Sequence, residues 1–418
     1  MQTLADLKAG KLQGLTQLKL SEELTTFPDE VFTLADTLEI LDLSHNRLSK
    51  LPDLSRLKKL KIAFFSFNLF IEVPTAFKNC EKLYMLGLKG NQIEHFDEDI
   101  LPLTISWLIL TDNKIQTLPH SIGKLSKLQK FPLAGNQLTA LPQEISQCRN
   151  LELIRLSANQ LQEIPSWLLR LPKLAWLAFS GNPCSKAPEA SLDEIAYESP
   201  EMSELLGEGA SGEIYKGYDK NAEAEVAVKL FKGAVTSDGF AHDEMNAYMS
   251  TGEHPHLISV HAKIKGSDPL GLVLELVPSH YENLGLTPDF ETCTRDTFTD
   301  GTEFSLESIY SVARAMISAT QHLHARGLMH GDLYAHNILI NIEDQHCYFG
   351  DFGAATFYDK SETLYEKLEV CAFGCLLEDM LAYCNDRESE GYNYLSDLAE
   401  MCMGEDIEKR PSFSELIL

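Results

Sequence analysis

The first 185 residues of this chain repeat one pattern at an almost constant interval. Asparagine recurs every 22 or 23 residues within the pattern L-x-x-L-x-L-x-x-N-x-L. The seven asparagines are Asn46, Asn68, Asn91, Asn113, Asn136, Asn159 and Asn182. A period of this length indicates copies of one small unit, and such a unit cannot bury its apolar face alone. The copies must therefore stack, each closing the core of its neighbour.

Two features inside each copy predict its course. The L-x-L run alternates as a short strand whose leucines point into a shared core. The asparagine amide can satisfy backbone groups where the chain leaves the strand, so stacked copies should form a ladder. Four copies continue with a pair that marks the return across the convex side: Leu51-Pro52, Leu118-Pro119, Leu141-Pro142 and Ile164-Pro165. The first half should therefore be a curved solenoid with a sheet on its concave side.

This pattern resembles the leucine-rich repeat family, whose exposed concave residues usually carry binding. Here the residue at the third position of each of the seven copies is mostly apolar. In two copies the residue at the fifth position, two residues further along the strand, is apolar as well. We call these nine residues the apolar stripe: Ile40, Ile62, Met85, Trp107, Lys130, Leu153, Trp176, Phe64 and Ile109. The stripe is compatible with a docking surface for another protein or for the second half of the chain. It is equally compatible with side chains half-buried between neighbouring strands.

The charge changes abruptly near residue 190. Residues 1–190 carry 21 Lys and Arg against 20 Asp and Glu, whereas the remainder carries 14 against 42. We therefore predict a leucine-rich repeat domain over 1–185, a connector over 186–200 and a second domain over 201–418. The connector contains a candidate edge strand at Ile195–Tyr197. An acidic second half should repel nucleic acid and anionic membranes.

Composition also bears on the compartment. No run of eighteen apolar residues is present, so no membrane span is expected. The polar N-terminus does not resemble a secretory signal. Nine cysteines without paired spacing favour reduced thiols in a cytoplasmic protein. Secretion as an effector without a signal peptide is an alternative that the sequence leaves open.

The second half contains polar residues at a spacing suited to phosphate chemistry. His-Gly-Asp at 330–332 is followed by Asn337, and Asp-Phe-Gly follows at 351–353 after a run that predicts a β-hairpin. Upstream lie a G-x-G-x-x-G motif at 207–212, between two alternating runs, and Val-Ala-Val-Lys at 226–229. The order and spacing of these motifs make a chance scatter of Asp and Asn an inadequate explanation.

These motifs resemble those of the protein kinases, an α+β fold of two lobes, from the glycine motif to the C-terminus. The resemblance implies ATP and Mg²⁺ as cofactors. It implies Asp332 as the base for the acceptor hydroxyl, with Asn337 and Asp351 as magnesium ligands. It also implies that Lys229 contacts the α- and β-phosphates and pairs with Glu244 on the following helix. The catalytic set is then Asp332, Lys229 and Asn337.

The resemblance further implies a nucleotide pocket between the lobes. Glycines let the backbone approach the phosphates, apolar side chains cover the adenine, and the hinge backbone binds the base. The residues so implied are Leu206, Gly207, Gly209, Gly212, Ile214, Lys229, Glu244, Glu275, Val277 and Leu339.

Two substitutions depart from the family pattern in the loop itself. Gly331 replaces the arginine that reads an activation-loop phosphate, so switching by loop phosphorylation is not expected. Tyr334 stands where serine/threonine kinases usually carry lysine, with His336 as a partial substitute or a structural residue. Modest turnover follows from the loss of that lysine.

Two shortened segments depart from the pattern as well. Only fifteen residues separate Gly353 from Glu369, at the expected start of the central helix, and no Ala-Pro-Glu is present. Arg410, the usual partner of that missing glutamate, is expected to pair with Glu366. Residues 384–394 are too few for the next substrate-docking helix. We hypothesise that the solenoid recruits the substrate instead.

The leading interpretation is an ATP-dependent protein kinase, serine/threonine-directed, fused to leucine-rich repeats. One alternative is a small-molecule phosphotransferase of the aminoglycoside or choline kinase type. The His-Gly-Asp sequence resembles the loop of those enzymes. Another is a nucleotide-binding pseudokinase scaffold. Transfer of phosphate to protein separates the first interpretation from both alternatives.

Overall fold

The computed structural model describes residues 2–188, 194–196 (backbone only), 200–209, 211–220, 222–232, 236, 238–266 and 269–418. The chain divides into two compact units, Met1–Leu171 and Pro172–Leu418. This division falls at the start of the last repeat, whose residues from Pro172 onward belong to the second unit. The domain limits at 185 and 200 stay a prediction from sequence.

The first unit is built on a parallel sheet of three-residue strands. Its strands are β1 Gln17–Lys19, β2 Ile40–Asp42, β3 Ile62–Phe64, β4 Met85–Gly87, β5 Trp107–Ile109, β6 Lys130–Pro132 and β7 Leu153–Arg155. The central residue of each strand is buried, as the L-x-L pattern predicts. Two short helices, α1 Leu4–Lys8 and α2 Ser166–Leu169, lie near the ends of this unit.

The ladder of asparagines forms as predicted, and Asn113 shows its geometry. Its side-chain amide donates to the carbonyls of Leu88 and Leu110, both at 3.0 Å, while its oxygen accepts from Ile93 N at 3.0 Å. The same three contacts recur at Asn68, with adjacent copies supplying carbonyl and amide. Buried backbone groups between the copies are thereby satisfied.

Three of the four predicted Leu-Pro or Ile-Pro pairs, all but Leu51-Pro52, are followed by a helical segment. Pro119, Pro142 and Pro165 lead directly into short helical segments at His120–Lys124, Gln143–Gln147 and α2. Proline suits the start of a helical turn because its missing N–H would have no partner there.

Within the first unit, the apolar stripe lies in register across the sheet. Ile40 pairs with Ile62, which pairs with Met85, and Trp107 pairs with Lys130. None of its nine side chains is exposed: Ile62, Met85, Leu153 and Trp176 are buried and the others are half-buried. A cation–π contact contributes, with Lys130 Nζ 4.2 Å from the Trp107 ring centroid.

The second unit begins with the terminal repeat and a sheet of six strands. The terminal repeat supplies β8 Trp176–Ala178. The six strands are β9 Glu194–Ala196, β10 Pro200–Glu208, β11 Gly212–Asp219, β12 Ala224–Phe231, β13 Val260–Lys265 and β14 Gly271–Glu275. Their order in the sheet is β10-β11-β12-β14-β13-β9. Helix α3, Ala241–Ser250, separates β12 from β13. The predicted edge strand is β9, parallel to β13, while Tyr197 lies outside the described residues.

The remainder of the second unit is mainly helical. Its elements are β15 Tyr281–Asn283, α4 Leu306–His324, β16 Leu328–Met329, β17 Ile338–Asn341, β18 Cys347–Phe349, β19 Thr356–Phe357, α5 Leu364–Leu381 and α6 Glu390–Cys402. The expected hairpin before the Asp-Phe-Gly motif is β17 and β18. Helix α5 is almost wholly buried, and it begins before Glu369 rather than at it. The parallel repeat sheet followed by an α+β unit confirms the predicted multidomain fold class.

No helix in the described part of the chain combines the length and apolarity that a membrane crossing needs. All nine cysteines are present as thiols.

Candidate active site

A buried ion pair joins the sheet of the second unit to helix α3. Lys229, near the end of β12, bonds the carboxylate of Glu244, and both side chains are almost fully buried. The lysine ammonium also lies 5.0 Å from the Tyr248 ring centroid and 5.3 Å from that of Phe231. Burial acts against the charged ammonium, but Tyr248, Glu244 and Asp351 outweigh it and raise the pKa of Lys229. Lys229 is therefore a fixed cation in an apolar setting.

The glycine motif forms the turn between β10 and β11. Gly209 N donates to Gly212 O at 2.9 Å. A Cβ at Gly212 would collide with the carbonyl of Leu230, so packing requires glycine there. A Cβ at Gly207 or Gly209 would meet no protein atom within 4 Å. Packing gives no reason for glycine at these two positions, whereas close approach of a phosphate would.

The His-Gly-Asp loop places Asp332 beside Asn337. The Asn337 amide donates to Asp332 O at 2.9 Å and to Asp332 Oδ2 at 3.3 Å. His330 is fully buried, stacks on Phe349 at 3.8 Å and bonds Gly350 O through Nε2 at 2.9 Å. Burial lowers the pKa of His330. A neutral His330 therefore anchors the loop to the residue before the Asp-Phe-Gly motif.

The Asp-Phe-Gly motif presents its aspartate and buries its phenylalanine. Asp351 is exposed and has φ +58°, in the left-handed region. Phe352 packs between Tyr248 and His330, with ring centroids 4.8 Å away in each case. Because Phe352 is anchored in this way, Asp351 is held near Lys229, whose pKa it helps to raise.

The hinge follows β14. The carboxylate of Glu275 accepts from Tyr348 Oη at 2.9 Å, and its backbone amide donates to Ser259 O at 2.8 Å. The amide of Glu275 is thus committed to the protein. Leu206 is exposed, and Ile214, Val277 and Leu339 are half-buried.

Sequence reasoning missed Asp296, which supports the loop from the segment before α4. Its carboxylate accepts from the backbone amide of Ala335 and pairs with His336 Nδ1 at 2.6 Å. Burial acts against the imidazolium, but the bond to Asp296 and the charges of Asp332 and Asp351 raise the pKa of His336. Asp296 belongs to no recognisable motif, so no sequence signal identified it.

Glu369 was noted only as a landmark of the central helix, yet it binds the loop directly. It accepts from Gly331 N at 2.8 Å and His330 N at 3.3 Å, and faces His324 Nε2 at 2.8 Å. Burial opposes the carboxylate, but His324 and the loop amide outweigh it and lower the pKa of Glu369. His324 Nδ1 in turn shares a hydrogen bond with Tyr358 Oη at 2.8 Å.

The expected Arg410–Glu366 pair is wrong. Arg410 is buried and donates to three carbonyls, those of Pro172 (2.6 Å), Gly404 (2.8 Å) and Lys367 (3.3 Å). Glu366 instead accepts from Phe413 N at 2.8 Å. The guanidinium has five N–H donors and can bond several carbonyls at once. If Arg410 paired with one carboxylate instead, these carbonyls would lose that donor.

The second unit thus contains the buried Lys229–Glu244 pair and the open glycine turn between its strands β10 and β11. It also contains the carboxylates of Asp332 and Asp351 and the side-chain amide of Asn337. No group of three His, Cys, Asp or Glu side chains suited to a metal ion occurs among the described residues. Asn337 and Asp351 would hold Mg²⁺ only together with phosphate oxygens, as is usual for this ion. This donor set fits a magnesium nucleotide.

Comparisons with known proteins agree with both halves. The protein kinase domain family matches residues 201–373, and leucine-rich repeat families match residues 126–183 and 37–57. These matches confirm the predicted combination of repeats and kinase-like domain.

Three similar proteins illustrate the match. The chain is 25% identical to an Arabidopsis thaliana serine/threonine-protein kinase (AtPK2/AtPK19) over 42% of its length and 35% of that protein. It is 33% identical to the epidermal growth factor receptor of Apis mellifera over 42% of its length and 13% of that receptor. A solved leucine-rich-repeat protein of Leptospira interrogans is 27% identical and covers 43% of this chain and 53% of its own, with a TM-score of 0.37.

The matched stretch is a minor part of the curated relatives. It spans 34%, 21% and 24% of three further relatives, from Schizosaccharomyces pombe, Caenorhabditis elegans and Dictyostelium discoideum.

Proposed function

This chain combines leucine-rich repeats with a protein kinase domain, and we propose that it is an ATP-dependent protein kinase acting on serine or threonine. The observation that carries the proposal is the buried Lys229–Glu244 pair beside Asp351 and the His-Gly-Asp loop. A pseudokinase scaffold would have no use for this complete set of charged residues. A buried lysine is costly unless it is paired and used.

The residues divide the reaction between them. Asp332 accepts the proton of the acceptor hydroxyl, and its orientation is kept by the Asn337 amide. Lys229, held by Glu244, binds the α- and β-phosphates, while Gly207 and Gly209 leave space for phosphate oxygens. Asn337 and Asp351 would hold Mg²⁺, which neutralises charge on the transferring phosphoryl group.

The repeats are proposed to recruit the protein substrate or a partner. The motive is the short segment between Gly353 and α5, which leaves little of a generic peptide-docking platform. We place the protein in the cytoplasm on the basis of its reduced thiols.

The test is incubation of the purified chain with γ-labelled ATP and Mg²⁺, beside Asp332→Asn. We expect label on the chain itself or on an added protein, and a loss of about 10²- to 10⁴-fold in the variant, because the base is removed. ATP affinity should be unchanged, since Asp332 is not a nucleotide ligand. Phosphoamino acid analysis of the product separates serine and threonine from tyrosine.

Two outcomes would contradict the proposal. Consumption of ATP without labelled protein would favour the small-molecule phosphotransferase. ATP binding without consumption, at equal affinity in both proteins, would leave the pseudokinase scaffold.

A further inference from the structure

The terminal repeat, residues 172–185, contacts the catalytic loop within the second unit. The buried ring of Trp176 stacks on Tyr334 with centroids 4.5 Å apart and an interplanar angle of 5°. Its indole N–H donates to Leu333 O at 3.2 Å. Two consecutive residues directly after Asp332 are thus held by one tryptophan. The stack continues on the other side of Tyr334 to His336, at 4.9 Å.

The same repeat also binds the segment that follows the Asp-Phe-Gly motif. Phe179 N donates to Thr356 Oγ1 at 3.1 Å, and Ser185 Oγ donates to Phe357 O at 3.1 Å. The ring of Phe179 stacks on Tyr365 of α5 at 5.3 Å. Three contacts of different kinds therefore hold residues 356–365 in one arrangement.

Gly331 shows that the repeat occupies the place of a side chain. Its φ is +73°, and an added Cβ would lie 2.6 Å from Leu177 O and 2.9 Å from Ala354 O. This is the position at which related kinases carry the arginine that reads an activation-loop phosphate. The repeat backbone and the segment after Gly353 leave no room for such a side chain.

Two candidate acceptor hydroxyls in this segment, those of Thr356 and Tyr358, are already engaged. Thr356 is fully buried and donates to Ala354 O at 3.1 Å, while Tyr358 Oη bonds His324. Phosphorylation of either residue would require the segment to leave this arrangement. Ser361 and Thr363 are exposed.

We propose that the terminal repeat is a built-in activating element, with Trp176 as a positioning residue that holds the catalytic loop without any phosphorylation of residues 354–363. The proposal rests on the proposed kinase function and adds how that activity is regulated. Glu369 holds the backbone amides of His330 and Gly331, so the loop is fixed by α5 as well as by the repeat.

The test uses the full-length chain and three variants. Trp176→Leu places a smaller apolar side chain at this position, the residue type that stands at the corresponding position of β7, and it removes the stack and the indole donor. We expect kcat to fall about 10- to 100-fold while KM for ATP changes less than about twofold, because a misplaced loop affects transfer and not nucleotide binding. Trp176→Phe restores a stacking ring and should recover most of kcat. Trp167→Ala, in α2, is the matched control and should resemble wild type.

Two further readouts separate positioning from general destabilisation. Amide hydrogen exchange of residues 328–337 should accelerate in Trp176→Leu, with the protection of α5 unchanged. Phosphatase-treated wild type should keep its kcat within about twofold of untreated protein.

Each outcome has a defined meaning. Wild-type kcat and wild-type exchange in Trp176→Leu would overturn the proposal, as would a phosphatase-induced loss of activity that preincubation with ATP restores. If the wild type transfers no phosphate to protein, the kinase function fails, and the exchange of residues 328–337 alone then decides whether Trp176 holds the loop.

Discussion

Asp351 has a backbone conformation that aspartate seldom adopts. A non-glycine residue at φ +58° costs about 1–3 kcal/mol and persists only where its surroundings impose it. Both neighbours of Asp351 in the chain are held in place. Phe352 is buried, and Gly350 N donates to the Asn337 carbonyl at 3.0 Å. Strain of this kind is found where a side chain must point to one place, which is consistent with a metal ligand.

At the residue scale, His336 predicts a pH dependence of stability. Its folded pKa is raised by Asp296, Asp332 and Asp351. The stabilising charge is therefore fully present below the unfolded pKa, about 6.5, and is lost as the pH rises through the higher folded pKa. The free energy of unfolding of wild type relative to His336→Gln should be largest at acidic pH and should decline above neutrality.

Urea denaturation of both proteins between pH 6 and pH 9 measures this difference. Titrating groups that do not interact with His336 cancel in the comparison, because the two chains differ at one residue. A difference that is constant, or that grows with pH, would mean that His336 does not gain its proton from the Asp296 pair.

At the element scale, the asparagine ladder links neighbouring copies beside the regular backbone hydrogen bonds of the sheet, such as Leu88 N to Ile109 O at 2.9 Å. From Asn46 to Asn159, each ladder amide reaches the copy before it as well as its own, so the element is stable only as a stack. The sheet also requires stacked copies, because a three-residue strand is too short to be stable alone.

Asn113→Ala should reveal the strength of one ladder position. The change leaves the buried carbonyls of Leu88 and Leu110 and the amide of Ile93 without this partner, at a cost of about 1–3 kcal/mol. Asn150→Ala is the control, because its amide donates to Ser126 O at 2.8 Å in an exposed setting and its loss should cost under about 1 kcal/mol. Denaturation followed by circular dichroism compares them, and equal losses would show that burial is not what makes the ladder matter.

At the scale of the whole molecule, the last repeat belongs to two descriptions at once. In sequence, Asn182 continues the period of the solenoid, whereas in space residues 172–185 are part of the second unit. Arg410, buried and bonded to Pro172 O, ties the beginning of that unit to its C-terminal end. We therefore expect the activity of a shortened chain to depend on whether it retains residues 172–185.

Two shortened chains test this expectation. A chain beginning at Pro172 should bind ATP and label a generic protein acceptor, but should lose the substrate that the repeats recruit. A chain beginning at Lys186 lacks Trp176 and should bind ATP with at least about tenfold lower kcat. Calorimetric ATP binding and initial rates measure both, with circular dichroism to verify folding. Equal rates in the two chains would show that the terminal repeat has no part in catalysis.

How much the sequence determines differs between the two halves. The repeats could be predicted almost completely, because each copy states its own strand, turn and asparagine, and neighbouring copies contact each other in order. The sequence motifs also predicted that Lys229 pairs with Glu244, and that β17 and β18 form a hairpin returning Asp351 to the loop. Motifs of this kind fix contacts among a few neighbouring strands, turns and helices.

Only the tertiary structure decided which distant residues support those motifs. Asp296, Glu369 and Trp176 bind the loop from three separate segments, and Arg410 bonds carbonyls instead of Glu366. Backbone carbonyls and stacked rings leave no spacing pattern in a sequence, because their partners are set by packing. The sequence by itself determined the repeats and which motif residues form the candidate site, and packing determined what holds the site in place.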